Sequence, residues 1–123
     1  MQGRLSEPVN NKIQHFPLKK WKEEFYIASK IGLSSIEWVY EYEKIEQNPL
    51  DNERSLELIK EVSAETGICI NSVVADYFME SKLFNEKEEV IEENINKLEH
   101  LINACTIVDI PIVEIPLVDQ SSL

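Results

Sequence analysis

The residues of this chain best placed to do chemistry are carboxylates at the predicted ends of short strands. In Ile36-Glu37-Trp38-Val39-Tyr40-Glu41 the alternation of strand side chains sets residues 36, 38 and 40 against 37, 39 and 41. The larger apolar set belongs against helices, which turns Glu37 and Glu41 toward the opposite face, with Glu41 near or past the carboxyl end of the strand. The same logic sets Val113 and Ile115 against Ile112 and Glu114, so Glu114 points the same way as Glu37. A carboxylate on a buried parallel strand is costly unless neutralised. Each of these residues therefore calls for a cation, a hydrogen-bond network or a bound ligand, and for Glu37 and Glu114 an interior ion pair to an Arg or Lys such as Arg4 is the structural alternative. Asp76 and Tyr77 follow another predicted strand, and Asp119 to Ser122 follow the last one. Helix and loop capping accounts for Asp and Ser at such places without any chemistry.

His15 falls in the loop after the opening segment, on the same side as the strand ends, where it could touch a substrate or a metal. His100 lies off the apolar stripe of a predicted helix and is expected to be solvated. No H-x-x-x-H or C-x-x-C spacing occurs, so no complete metal site is visible. Glu86, Glu88, Glu89, Glu92 and Glu93 read as a solvated helix face. Cys69 in an apolar run and Cys105 on an apolar stripe read as buried thiols.

These residues need elements to position them. Ile91, Ile95, Leu98, Ile102 and Cys105 recur at helical spacing, predicting a helix over 85–108 with Asn85 and Glu88 as a capping box. Trp21, Phe25, Ala28 and Ile31 predict a helix over 18–31, with a face of Lys and Glu toward water and Gly32 as its left-handed stop. Leu56, Ile59 and Val62 predict a third helix over 51–66, closed by Gly67. Runs at 35–40, 68–74 and 111–117 read as strands, and 1–5 as a further short one. Strands alternating with helices imply an α/β fold with a parallel sheet.

The chain has 123 residues, 43% of them apolar, enough for one modest core. It has 12 Lys and Arg against 23 Asp and Glu, a net charge of −11, which disfavours nucleic acid and anionic membrane surfaces as partners. With no signal peptide or membrane-spanning run in the sequence, the cytoplasm is the expected compartment. No glycine-rich phosphate fingerprint of an open nucleotide-binding sheet occurs. An eight-unit parallel barrel takes about 31 residues per unit, so this length corresponds to about four of eight units, a half-barrel of TIM type.

The opening Met1-Gln2-Gly3-Arg4-Leu5-Ser6, the segments Ile36 to Glu41 and Ala75-Asp76-Tyr77-Phe78-Met79, and Pro116-Leu117-Val118-Asp119 resemble, in order, the amino-terminal half of the sugar phosphate isomerase/epimerase family, whose members have a xylose-isomerase-like barrel. The resemblance implies a divalent metal (Mn²⁺, Mg²⁺, Co²⁺ or Zn²⁺) assisting proton abstraction beside a carbonyl. It also implies that the metal ligands and the main acid/base pair lie in the other half of the barrel. This half would line one wall of a pocket for a sugar or sugar phosphate, with Gln2, Arg4, Glu37, Asp76 and Glu114 as substrate-binding residues and Arg4 meeting an anionic or hydroxyl-rich group. Nuclease relatives carry zinc-binding histidines where this chain has Val73 to Asp76 and Glu114 to Leu117, so abasic-site repair is not expected. The alternative is a non-catalytic half-barrel that pairs with a second copy as a homodimer or serves as an interaction module.

Overall fold

A computed structural model of the chain describes residues 1–8, 10–12 and 14–122, with Gln120 through its backbone alone. In chain order the elements are α1 (Trp21–Lys30), β1 (Ser35–Val39), α2 (Glu53–Thr66), β2 (Cys69–Val74), α3 (Tyr77–Glu80), α4 (Glu88–Ile107) and β3 (Val113–Glu114). Short 3-10 turns lie at Ile45–Gln47, Pro49–Asp51 and Asp119–Ser121. The strands form one parallel sheet in the order β1-β2-β3, with the crossover helices between them. The α/β class expected from the alternation is present. The three long helices follow one another as a single layer, α1 touching α2 and α2 touching α4. No helix among the described residues is long and apolar enough to cross a membrane.

Trp38 anchors the core. It is fully buried, with its ring 5.5 Å from Trp21, 6.4 Å from Phe25 and 5.1 Å from Phe16. Ile36 and Tyr40 are buried with it, so the expected alternation along β1 holds. Leu56, Ile59 and Val62 are the buried stripe of α2, which ends at Gly67 with φ +71. The Tyr40 hydroxyl donates to Asp51, and Asp51 also accepts Lys97 Nζ at 2.7 Å. His100 Nε2 lies 3.0 Å from the Asp51 carbonyl oxygen. This network ties the end of β1 to a 3-10 turn and to α4, with the His100 side chain still partly exposed to solvent.

Several expectations are corrected. Residues 1–5 form turns and bends instead of a strand, because Gly3 takes φ +81 and Glu24 binds the backbone on either side of it. Glu24, expected on the watery face of its helix, is 1% exposed. Its carboxylate accepts from Gly3 N at 3.0 and 2.9 Å, Leu5 N at 3.2 Å and Ser6 Oγ at 2.7 Å. α1 starts at Trp21, since Pro17 to Lys20 close a turn first, and Ile31 is exposed. β3 is limited to two residues between Pro111 and Pro116, neither of which has an N–H to donate.

The long helix begins at Glu88 with Lys87 as its cap, while Asn85 sits at φ +56 outside it, so the capping box does not form. Its buried side is Asn94, Leu101, Ala104 and Cys105, and Ile95 and Ile102 are exposed. The helix is turned by its polar anchors, Lys97 and His100 on Asp51 and Asn94 Nδ2 on the Lys82 carbonyl at 2.7 Å. Cys105 is buried, with its thiol pushed up to about 11 chiefly by burial, whereas Cys69 is exposed at the start of its strand. At the far end the Ser121 hydroxyl donates to the carbonyls of Pro116 and Val118 at 3.1 and 2.9 Å, the loop-bracing role expected of that residue.

Two outcomes follow for stability. Glu24→Ala is expected to cost about 3 kcal/mol by stranding buried donors, with Glu24→Gln intermediate. Equal urea midpoints for Glu24→Ala and the parent chain would refute the role given to this carboxylate. Gly3→Ala is expected to cost more than Gly67→Ala, although both residues have positive φ. A Cβ on Gly3 would lie 2.5 Å from the His15 carbonyl oxygen, while one on Gly67 meets nothing within 4 Å. Thermal midpoints of the two variants rank them directly.

Candidate functional site

The sheet register gathers acidic side chains on one face. Glu37 pairs with Ser72 and Val74 with Glu114, and Ser72 and Val74 are two residues apart, so Glu37, Ser72 and Glu114 share a face. Trp38, Val73 and Val113 share the other face, against the core. A bulge at Asn71, between the Ile36–Ile70 and Glu37–Ser72 pairs, brings Ser72 level with Glu37. Glu41 follows β1, and Asp76 caps α3 just after β2. Both therefore stand at the carboxyl end of the sheet.

Each carboxylate except Glu114 has a definite partner. Glu37 accepts from the Ser72 hydroxyl at 2.9 Å, Glu41 from the Phe16 backbone N–H at 2.7 Å, and Asp76 from the Gln14 amide at 2.6 Å. Burial raises the pKa of Asp76, and the neighbouring charges of Glu41, Glu114 and Glu37 push it the same way, while the Gln14 hydrogen bond opposes them. Asp76 thus lies within electrostatic reach of carboxylates from β1, β3 and the loop after β1. A raised pKa makes a carboxylate a better proton acceptor toward a hydroxyl-bearing ligand. Next to Asp76, the rings of Tyr42 and Tyr77 are 5.2 Å apart and those of Tyr40 and Tyr77 are 5.8 Å apart. Tyr40 is fully buried on the Trp38 side of the sheet and Lys97 Nζ lies 5.6 Å from the Tyr77 ring, so this aromatic cluster packs toward α4.

The residues singled out from sequence divide into three groups. Glu37, Asp76 and Glu114 are brought together, although Glu114 is exposed, which removes the need to neutralise it. Gln2 is 1% exposed and lies along the free edge of β1, donating its N–H to the Glu37 carbonyl at 2.9 Å and accepting from Val39 N on Oε1 at 3.1 Å. Arg4 is exposed in a shallow groove that adjoins the His15 cleft through Ser6, Glu7 and Lys20, and it makes no ion pair with Glu37 or Glu114 among the described residues. The interior ion pair weighed for these carboxylates is therefore replaced by the Ser72 hydroxyl at Glu37 and by exposure at Glu114.

His15 is 5% exposed and stands in the wall of a cleft of about 410 Å³ that also takes in Lys12, Glu41, Glu43 and Lys44. Glu41 belongs to both the acidic row and this cleft, which makes the two contiguous. Gln14 and Ser72 went unrecognised in the sequence. Gln14 carries no periodic signal, and Ser72 reaches Glu37 only through the bulge. No group of three or more His, Cys, Asp or Glu among the described residues is close enough to hold a metal ion.

The raised pKa of Asp76 has a signed consequence. A carboxyl whose folded pKa lies above its unfolded value stabilises the fold below the unfolded pKa, and that contribution is lost as pH rises through the folded pKa. Asp76→Asn is therefore expected to raise stability at pH 7, with the gain vanishing below the ordinary Asp value of about 3.9. Urea midpoints at pH 7 and pH 3 check this, and a lower midpoint for the variant at pH 7 would contradict it.

No family model matches the chain, and no curated protein matches it.

Proposed function

We propose that this chain is the amino-terminal part of a parallel barrel of the TIM type that acts, in the cytoplasm, as a metal-dependent isomerase or epimerase of a sugar or sugar phosphate. Its contribution is one wall of the substrate pocket. The observation that carries this reading is the placing of Glu37 and Glu114 on one face, with Glu41 and Asp76 at the carboxyl end, of a sheet whose strands run in sequence order. Sequential parallel strands with their helices in one layer match a barrel better than a sheet wound on both faces, and barrels of this type bind at the carboxyl ends of their strands. Carboxylates accept hydrogen bonds from sugar hydroxyls. The divalent metal implied by the resemblance would take its ligands from outside this chain, whose own part is to bind and orient.

Solvent exchange tests the reading. In D₂O with Mn²⁺ and a panel of aldoses, ketoses and their phosphates, the product of the extended reading frame should incorporate deuterium into its substrate, and the 123-residue chain alone should not. Glu41→Gln or Asp76→Asn in the extended product should lower kcat/KM about tenfold, the loss of one charge-assisted hydrogen bond. Exchange by the isolated chain, or a frame with no further strand and helix units, would sink it.

A second reading, a half-barrel that pairs with its own copy, is favoured by the exposed Ile112, Leu117 and Val118 around the outer edge of β3. Light scattering that gives a folded monomer would remove it.

A further inference from the structure

We propose that Gln14 is the positioning residue of Asp76, its side-chain amide turning over so that the carboxyl keeps one hydrogen-bond partner in both its charged and its protonated form. The proposal rests on the reading of Asp76 as a proton acceptor at the strand ends and says what controls it. Gln14 lies 62 positions from Asp76 in sequence, and its Nε2 donates to Asp76 Oδ2 at 2.6 Å. The residues after it fix where that side chain starts. The Phe16 N–H donates to Glu41 at 2.7 Å, the buried Phe16 ring lies 5.1 Å from Trp38, and the His15 carbonyl is pressed against Gly3. The amide is therefore carried to Asp76 by residues anchored on the sheet and on the amino-terminal segment.

The charges that act on Asp76 are all of one sign. Burial works first against its ionised form, and Glu41 from the loop after β1, Glu114 from β3 and Glu37 from β1 work the same way. On the α4 side the cation is Lys97, which is engaged by Asp51 at 2.7 Å and lies 5.6 Å from the Tyr77 ring. Among the described residues only the Gln14 amide acts on Asp76 in the other direction. A primary amide suits this place because it has a donor end and an acceptor end. With Asp76 charged, Nε2 donates to it. With Asp76 protonated, half a turn of the amide lets Oε1 accept from the carboxyl O–H, so neither state leaves the partly buried carboxyl without a partner. The contact between them is the only side-chain hydrogen bond of either residue among the described residues, so the turn breaks no other. A leucine at this position would leave Asp76 with burial and carboxylates alone, and a lysine would hold it ionised.

Side-chain NMR of the 123-residue chain tests this with neither ligand nor metal. As pH falls, the Gln14 side-chain amide signals should move with the same midpoint as the Asp76 carboxyl carbon. Those of Gln2, a buried amide whose oxygen accepts from the Val39 N–H, should stay in place through that midpoint. Gln14→Leu should shift the Asp76 midpoint to higher pH and Gln14→Lys should shift it to lower pH, each in a chain whose circular dichroism matches the parent. The parent titration needs no variant, so it decides the matter even where a substitution unfolds the chain. The proposal is overturned if the Gln14 amide ignores the Asp76 titration, if Gln2 and Gln14 shift alike as in a global acid transition, or if a folded Gln14→Leu chain keeps the parent midpoint. An amide that tracks Asp76 in a protein whose extended product exchanges no deuterium would fault the enzyme reading alone. Exchange with an amide that ignores Asp76 would fault this proposal alone.

Discussion

The buried carboxylate of Glu24 is the constraint from which the working end of the molecule is built. A negative charge removed from water must find donors, and Glu24 finds them in the backbone of Gly3 and Leu5 and the hydroxyl of Ser6. Holding that segment against α1 lays Gln2 along the free edge of β1, where its backbone and side chain occupy groups of Glu37 and Val39 that a further strand would otherwise pair. Gly3 is thereby pressed against the His15 carbonyl, closer than any side-chain-bearing residue could come. His15 and the cleft wall around it follow from this packing. The charge on α1 thus sets the position of residues it does not touch.

On the other side of the site, the sheet works by exclusion. Trp38 and its aromatic neighbours fill the face toward α1, so the charged residues of the strands can only occupy the opposite face. Parallel pairing then places the ends of β1 and β2 side by side, and Glu41 and Asp76 become neighbours although 35 positions separate them. The network on Asp51 holds the same end from outside, joining Tyr40 to α4 through Lys97. Burial and the hydrogen bond to Asp51 raise the Tyr40 pKa well above its ordinary value, so Tyr40 stays a donor in that network at any pH the protein would meet.

Much of the framework was legible because it follows from short-range pattern. The stripe of α2, the left-handed glycine at its end and the in-and-out alternation along β1 depend only on neighbours in sequence, and each is where periodicity puts it. The stripe of α4 was misread because its largest apolar residues are not its buried ones. A polar anchor to a distant turn and the small side chain of Ala104 decide which side approaches the core. Glu24 was misread for a related reason, since a glutamate on an amphipathic helix is indistinguishable in sequence from its solvated neighbours until a segment 18 to 21 residues away supplies donors.

The sequence by itself determined the class, the alternation of the three long helices with the three strands, and the side of each strand on which the carboxylates would stand, because those are consequences of chain geometry over a few residues. Only the tertiary structure decided which polar groups meet. It kept Arg4 out of ion pairs with Glu37 and Glu114, buried His15 with no hydrogen-bond partner among the described residues, paired Gln14 with Asp76, and lined one cleft with both lysines and glutamates. The physical reason is that hydrogen bonds and ion pairs form between atoms about 3 Å apart. Such distances between residues far apart in the chain are fixed by packing, not by spacing along the sequence.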